Sequence, residues 1–297
     1  MQHGRRQLFI YTVPTLRQLA VESLTHLMEN GQETLAVDDE ARAILREWML
    51  AARRGTSAGK MQNPPQQAMP AHTEKVAVVT STQSNLPAPD TVEEKLAYLQ
   101  MRAAQWKPAK ALGSLRETMV FATGNPRARL MLVGEAPGYD EERLGEPFVG
   151  RAGQKLNQIL AAANLNRSEV YISNICKFRP SMGENQGMGN RAPSDAEIAA
   201  CLPIIMAEIR AIRPTCIMCL GNTAAKGLLG TGASVGSLRG KWFECQGIPV
   251  RVTYHPSYLL RNESISAKRA VWEDFLAVME KLALNITPRQ RQFFTQS

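Results

Sequence analysis

The sequence predicts an α/β fold, a four-stranded, mainly parallel sheet flanked by helices, with an N-terminal helical extension. Two observations lead there. Four short apolar runs, Leu130–Val133, Val170–Ser173, Cys216–Leu220 and Val250–Thr253, read as buried strands. Helical patterns lie between them, at about 155–163, 194–212 and 222–229, and strands that alternate with helices build parallel sheets covered on both faces.

In chain order, residues 1–55 read as a helical extension. Leu16, Leu19, Ala20, Leu24 and Leu27 recur at helical spacing, and Gly31 can stop that helix. A second helix is predicted from Asp38 to Ala52, with a partial stripe of Ala43, Ile44, Trp48 and Leu50. The extension reads as a partner-binding arm, with a repair partner as one candidate, or as a loosely packed addition. Residues 56–90 are rich in Gly, Ser, Pro, Gln and Thr, a composition that cannot bury a core, and read as a disordered linker. The α/β domain spans 91–285. It opens with a helix over Thr91–Trp106, capped by Asp90 or Thr91 with Glu93 and Glu94 in its first turn. It closes with a helix over about 266–284, and residues 286–297 are expected to be a flexible tail.

The net charge of +8 over 297 residues suits a polyanionic partner such as nucleic acid, though charge alone does not separate that from a merely basic protein. No run of 18 apolar residues is present, so no membrane-spanning helix is expected, and a cytoplasmic monomer is the expectation. The five cysteines are an odd number and do not read as a disulfide framework. Cys216 and Cys219 have C-x-x-C spacing but lie on a strand, where positions three apart face opposite ways, so they read as core thiols.

The richest stretch is 130–153. Its strand breaks at Gly134-Glu-Ala-Pro-Gly138, passes Asp140, Glu141 and Glu142, and runs through Pro147-Phe-Val-Gly150 and Arg151-Ala-Gly153 into a helix. Glycines at the C-terminal end of a strand let a flat ligand or a phosphate approach the backbone. In parallel sheets, ligands bind beyond those strand ends. The other three strands end at Asn174, at Gly221-Asn222 and at Tyr254-His255-Pro256-Ser257. A carboxylate, an amide, a glycine turn and an imidazole therefore gather at one edge. Of the four histidines, only His255 has this context. Asn174 carries one acceptor and two donors for a base edge. Phe148 can stack on a flat ring, and Arg151, Arg179, Arg191, Arg239, Lys241 and Arg261 lie on the same loops, where they can meet phosphates.

These segments, in their order and spacing, resemble the uracil-DNA glycosylase superfamily, and family 4 most. The matching pieces continue through Val170–Asn174, Lys177-Phe-Arg-Pro180, Asn190-Arg-Ala-Pro193, Leu238-Arg-Gly240 and His255–Arg261. The resemblance implies excision of uracil from DNA. It implies Glu135, Glu141 and His255 as catalytic residues, the carboxylates near the sugar and His255 donating to the uracil oxygen. Gly134, Ala136, Phe148 and Asn174 would bind the flipped base. Arg151, Arg239, Ser257, Leu259, Leu260 and Arg261 would contact DNA, the leucines or Arg261 holding the gap in the minor groove.

The chain departs from family 4 at the cysteines that resemblance implies as iron–sulfur ligands. No cysteine lies in Trp106–Ser114, and Phe178 replaces the cysteine of K-C-R-P. Only Cys201 matches, and Cys176 is two residues from the expected place. No cluster, no other cofactor and no metal is expected. The loop Ser181–Gly189 reads as flexible and DNA-facing. Two other readings remain open at this point, a non-catalytic DNA-binding or repair-partner module and a glycosylase for another deaminated base such as hypoxanthine.

Overall fold

The computed structural model describes residues 90–184 and 186–295. The extension over 1–55 and the linker over 56–90 lie outside those residues, apart from Asp90.

Helix α1 (Val92–Ala104) opens on a capping box. Thr91 Oγ1 accepts from the Glu94 N–H at 3.2 Å, and the Glu94 carboxylate accepts from the N–H groups of Thr91 and Asp90. Then come α2 (Lys107–Lys110), β1 (Leu115–Met119), β2 (Ala122–Gly124), β3 (Leu130–Gly134), α3 (Tyr139–Leu144) and α4 (Arg151–Ala162). The middle of the domain holds β4 (Tyr171–Asn174), β5 (Phe178–Pro180), α5 (Asp195–Ile212), β6 (Cys216–Leu220) and α6 (Asn222–Leu229). The last part contains α7 (Val235–Leu238), β7 (Trp242–Cys245), β8 (Ile248–Thr253), α8 (Tyr258–Arg261), α9 (Ile265–Lys281) and α10 (Pro288–Arg291).

The sheet has six strands rather than four, in the order β2-β4-β3-β6-β8-β7. The four apolar runs form its parallel centre, β4-β3-β6-β8. The two additions, β2 and β7, pair antiparallel at the edges. Edge strands are half exposed and carry no continuous apolar run, which is why composition hides them. The β7–β8 hairpin turns on Gln246 and Gly247, both at positive φ (53° and 76°), the geometry of a two-residue primed turn. Strands β1 and β5 form a separate two-stranded ribbon.

Both faces of the sheet are buried. Met131, Val133, Ile217 and Cys219 pack on one side with α5 and α6, and Leu130, Leu132, Met218 and Leu220 on the other with α4 and α9. Cys216 and Cys219 thus lie in opposite cores. Burial pushes the Cys216 thiol up to about 12 and Cys219 higher still, as expected of packing groups.

Two expected mobile segments are docked. In the tail, Thr287 caps α10, Gln290 Nε2 donates to the Ala162 carbonyl at 2.8 Å, and Trp272 Nε1 donates to the Gln290 carbonyl at 2.6 Å. The described tail is therefore part of the fold through Thr295. The 181–189 loop is held from within the domain. Arg179 donates to the carbonyls of Gly187 and Gly189 at 3.0 and 2.6 Å, and buried Gln186 donates to the Pro180 carbonyl at 3.0 Å.

Candidate active site

The carboxyl ends of the four parallel strands open into one cavity of about 450 Å³. Glu135 and Ala136 follow β3, Asn174 ends β4, Gly221 and Asn222 follow β6, and His255 and Ser257 follow β8. All line the cavity with Glu141, Phe148, Asn190, Arg191 and Arg261.

The floor is built by close approach. A Cβ at Gly134 would collide with Asn174 Oδ1 and with the Phe148 ring, so only glycine lets these two side chains meet over β3. Asn174 is 2% exposed, and its Oδ1 is buried with no hydrogen-bond partner. A buried amide oxygen left unpaired costs free energy that a ligand N–H aimed at it recovers.

Phe148 has φ 56°, a left-handed conformation uncommon for a bulky residue. Two charged side chains hold the loop there. Glu141 accepts from the N–H groups of Gly138, Val149 and Gly150 at 3.1, 3.0 and 2.9 Å. Arg167 donates to the carbonyls of Pro147 and Phe148 at 2.5 and 3.0 Å. The Phe148 ring lies 5.6 Å from that of His255. Both carboxylate oxygens of Glu141 thus accept from backbone N–H groups, so the residue holds the loop as well as lining the cavity. Arg167, which sequence reasoning missed, is its counterpart from the turn before β4.

His255 is locked in one tautomer. The backbone N–H of Ser257 donates to His255 Nδ1 at 3.2 Å, and Ser257 Oγ lies 2.8 Å from the same nitrogen. Nδ1 is therefore an acceptor, and the neutral ring carries its hydrogen on Nε2. Burial first, and the Arg261 charge second, push the imidazole down to about 4. The ring is neutral above that pH, so ¹⁵N spectra are expected to show a neutral Nε2–H imidazole from pH 5.5 to 8, titrating only near pH 4. An imidazole that titrates near 6.5 would show the assignment to be wrong.

Glu135 is held by Thr223 on the first turn of α6, whose hydroxyl donates to Glu135 Oε2 at 2.5 Å. Its Oε1 is left for a ligand or water.

Against this geometry, the comparisons with known proteins are specific. The family model described as the uracil DNA glycosylase superfamily matches residues 121–276. A type-4 uracil-DNA glycosylase of Thermotoga maritima is 40% identical over 161 residues, 54% of this chain and 80% of its own length. A type-4 enzyme of Archaeoglobus fulgidus is 37% identical over 157 residues, covering 50% of this chain and 75% of its own. A type-5 uracil-DNA glycosylase of Pyrobaculum aerophilum is 28% identical over 170 residues, 54% of this chain and 73% of its own. The chain belongs to the uracil-DNA glycosylase superfamily.

Uracil-DNA glycosylase family 4 would supply an iron–sulfur cluster between the 106–114 segment, position 178 and Cys201, and the residues here do not fit one. Ala109, Phe178 and Cys201 are all buried in a single apolar core there, and Trp106 Nε1 closes the corner by donating to the Ala200 carbonyl at 2.7 Å. Among the described residues, no three or more His, Cys, Asp or Glu side chains are grouped to hold a metal.

The glycosylase motifs expected to meet DNA divide into two groups. Arg151 and Arg261 are exposed and Leu260 is half-buried. Arg239 is not free for a phosphate. It is tied to the buried Asp274 at 2.5 Å and to the Ala270 carbonyl, and lies 5.0 Å from the Tyr254 ring centroid. Leu259 is 4% exposed and packs in the core with Val271 and Trp272, so it is not a wedge. Ser257 serves His255. Arg179 is buried against Glu142 at 2.9 Å. Arg191 pairs with Glu197 at 2.7 Å. Although burial opposes it, that guanidinium, with the Ser114 hydroxyl and the Ser194 N–H, holds the Glu197 carboxyl down at about 2. Asn190 and Arg191 form a wall of the cavity that the sequence reading had not assigned to it.

Proposed function

We infer that this chain is a monofunctional uracil-DNA glycosylase acting in base excision repair, hydrolysing the N-glycosidic bond of uracil in DNA to leave an abasic site. The observation that carries the residue roles is the meeting, in one cavity, of an unpaired buried amide oxygen on Asn174, a neutral imidazole with its hydrogen on Nε2, and a carboxylate with one free oxygen. Their types and placement match a uracil ring and the sugar behind it.

The target base is buried in the duplex stack and must be flipped out, which costs a few kcal/mol. In the cavity, uracil N3–H donates to Asn174 Oδ1 and uracil O4 accepts from Asn174 Nδ2, while Phe148 stacks on the ring. As the bond from C1′ to N1 breaks, its electron pair spreads onto the uracil oxygens, and His255 Nε2–H donates to the developing charge. One preorganised donor of this kind is worth about 3 kcal/mol. The sugar becomes cationic. Glu135 holds a water with Oε1, steadies that charge and takes the proton as the water oxygen bonds to C1′. No lysine lines the cavity among the described residues, which supports hydrolysis over Schiff-base chemistry. No step calls for a cluster or a metal.

Among the described residues, no helix is long and apolar enough to cross a membrane. A cytoplasmic setting with access to DNA fits this reading, and residues 1–55 remain the candidate arm for a repair partner.

The test is excision by iron-free protein from oligonucleotides carrying one uracil, single-stranded or opposite G or A. Alkali-labile breaks at uracil are the expected result. Breaks at hypoxanthine alone would reassign the base. Salt-sensitive binding with no breaks would make the chain a DNA-binding module.

A further inference from the structure

The end of β4 rests on a charge pair with no access to water. Lys177 and Glu208 side chains are both 0% exposed, and the ammonium touches one carboxylate oxygen. The other carboxylate oxygen accepts from the Tyr171 hydroxyl at 3.1 Å and the Ser173 hydroxyl at 2.8 Å. Lys177 Nζ also donates to Ser173 Oγ at 2.5 Å and to the backbone carbonyl of Asn174 at 3.0 Å, and it lies 5.4 Å from the Phe121 ring centroid. None of these side chains lines the cavity.

A buried ion pair is a poor way to gain stability, because apolar residues of similar volume usually serve as well or better. This pair is placed where it can do something else. The Asn174 carboxamide is an unsatisfied buried group, and such a group gains by turning toward any donor it can reach. Its orientation depends on the peptide that carries it. That peptide is gripped on its carbonyl by Lys177, and Lys177 is fixed by Glu208 on α5. Beyond it, the N–H groups of Ile175 and Cys176 donate to the carbonyls of Gly134 and Glu135, both at 3.0 Å, so the same few residues also register Asn174 against the Glu135 loop.

We propose that Lys177 and Glu208 are positioning residues for the base-reading amide, holding the Asn174 peptide so that its carboxamide faces the uracil edge before the base arrives. This rests on the uracil-excising reading above.

The test uses two variants of the full chain. E208Q keeps the volume but removes the negative charge and puts an amide NH2 where one carboxylate oxygen accepted, against either the ammonium or the Tyr171 and Ser173 hydroxyls. The double variant K177M/E208L replaces the charges with an apolar pair. Both are first compared with the wild type by thermal melting. In the folded variants the single-turnover excision rate is expected to fall about 10²-fold, the cost of a misplaced reacting group. Inhibition by free uracil should weaken in parallel, while affinity for duplex DNA holding a stable abasic analogue stays unchanged. A merely structural pair would lower the melting temperature and leave the rate and the uracil inhibition of the folded protein alone, and that result overturns the proposal. So does failure of both variants to fold, which makes the pair a folding element. A wild type that leaves uracil in place strikes instead at the underlying reading.

Discussion

Asn174→Ala is expected to lose about 10³-fold in single-turnover excision while binding DNA as tightly as the wild type. The residue sits at the end of β4, 2% exposed, with Oδ1 unpaired. It offers uracil one acceptor and one donor edge. Truncation leaves the uracil N3–H and O4 buried without partners in the transition state, a penalty of roughly 1–3 kcal/mol for each group. Discrimination against cytosine is expected to fall with it, because the acceptor and donor that Asn174 presents match the N3–H and O4 of uracil and not the N3 and N4–H2 of cytosine. DNA affinity is expected to persist, because Arg151 and Arg261 are exposed where cations can meet phosphates and the substitution does not touch them. A loss smaller than about tenfold would remove Asn174 from base reading.

Gly153→Ala is expected to damage both fold and activity. A Cβ there would overlap the Phe148 carbonyl, which is backbone and cannot rotate aside. Either α4 moves away from the loop or Phe148 leaves its left-handed conformation. Overpacking of this kind costs about 3 kcal/mol, and displacement of the stacking ring costs about 10²-fold in rate. Gly232→Ala is the control, since a Cβ at that glycine meets nothing within 4 Å. The comparison is made by urea melts and by excision measured well below each midpoint. If Gly153→Ala melts with the wild type, the close approach of α4 to the Phe148 loop is not what it is described to be.

The parallel strands and their polar ends were legible because each is written in consecutive residues. Leu130–Val133 followed by Gly134-Glu135 needs no knowledge of what lies across the fold. What could not be read is pairing across long separations. Arg151 and Arg239 look alike in sequence, and only the distance to Asp274, 35 residues away in the chain, decides that the second is structural. Leu259 and Leu260 are adjacent, and the docking of α8 buries the first and leaves the second half-buried. Glu135 and Glu141 share a loop, yet one has a single hydroxyl partner and the other three backbone donors. Edge strands β2 and β7 were missed because partial exposure erases the apolar signal.

The order Asn174, Glu135, Gly221, His255 follows the strand order β4-β3-β6-β8. Neighbouring strands lie about 4.8 Å apart, so the backbones that carry the amide and the imidazole stand three such steps apart, about 14 Å between strand axes, and the two side chains reach inward from either end toward one cavity. That span is a ruler built into the ladder, and no side-chain substitution can lengthen it. The loops at 137–150 and 181–192 carry no rungs of that sheet and border the same cavity. The walls around the base are therefore free to drift through those loops, while the base-reading amide and the chemistry, measured out by the strands, stay where they are.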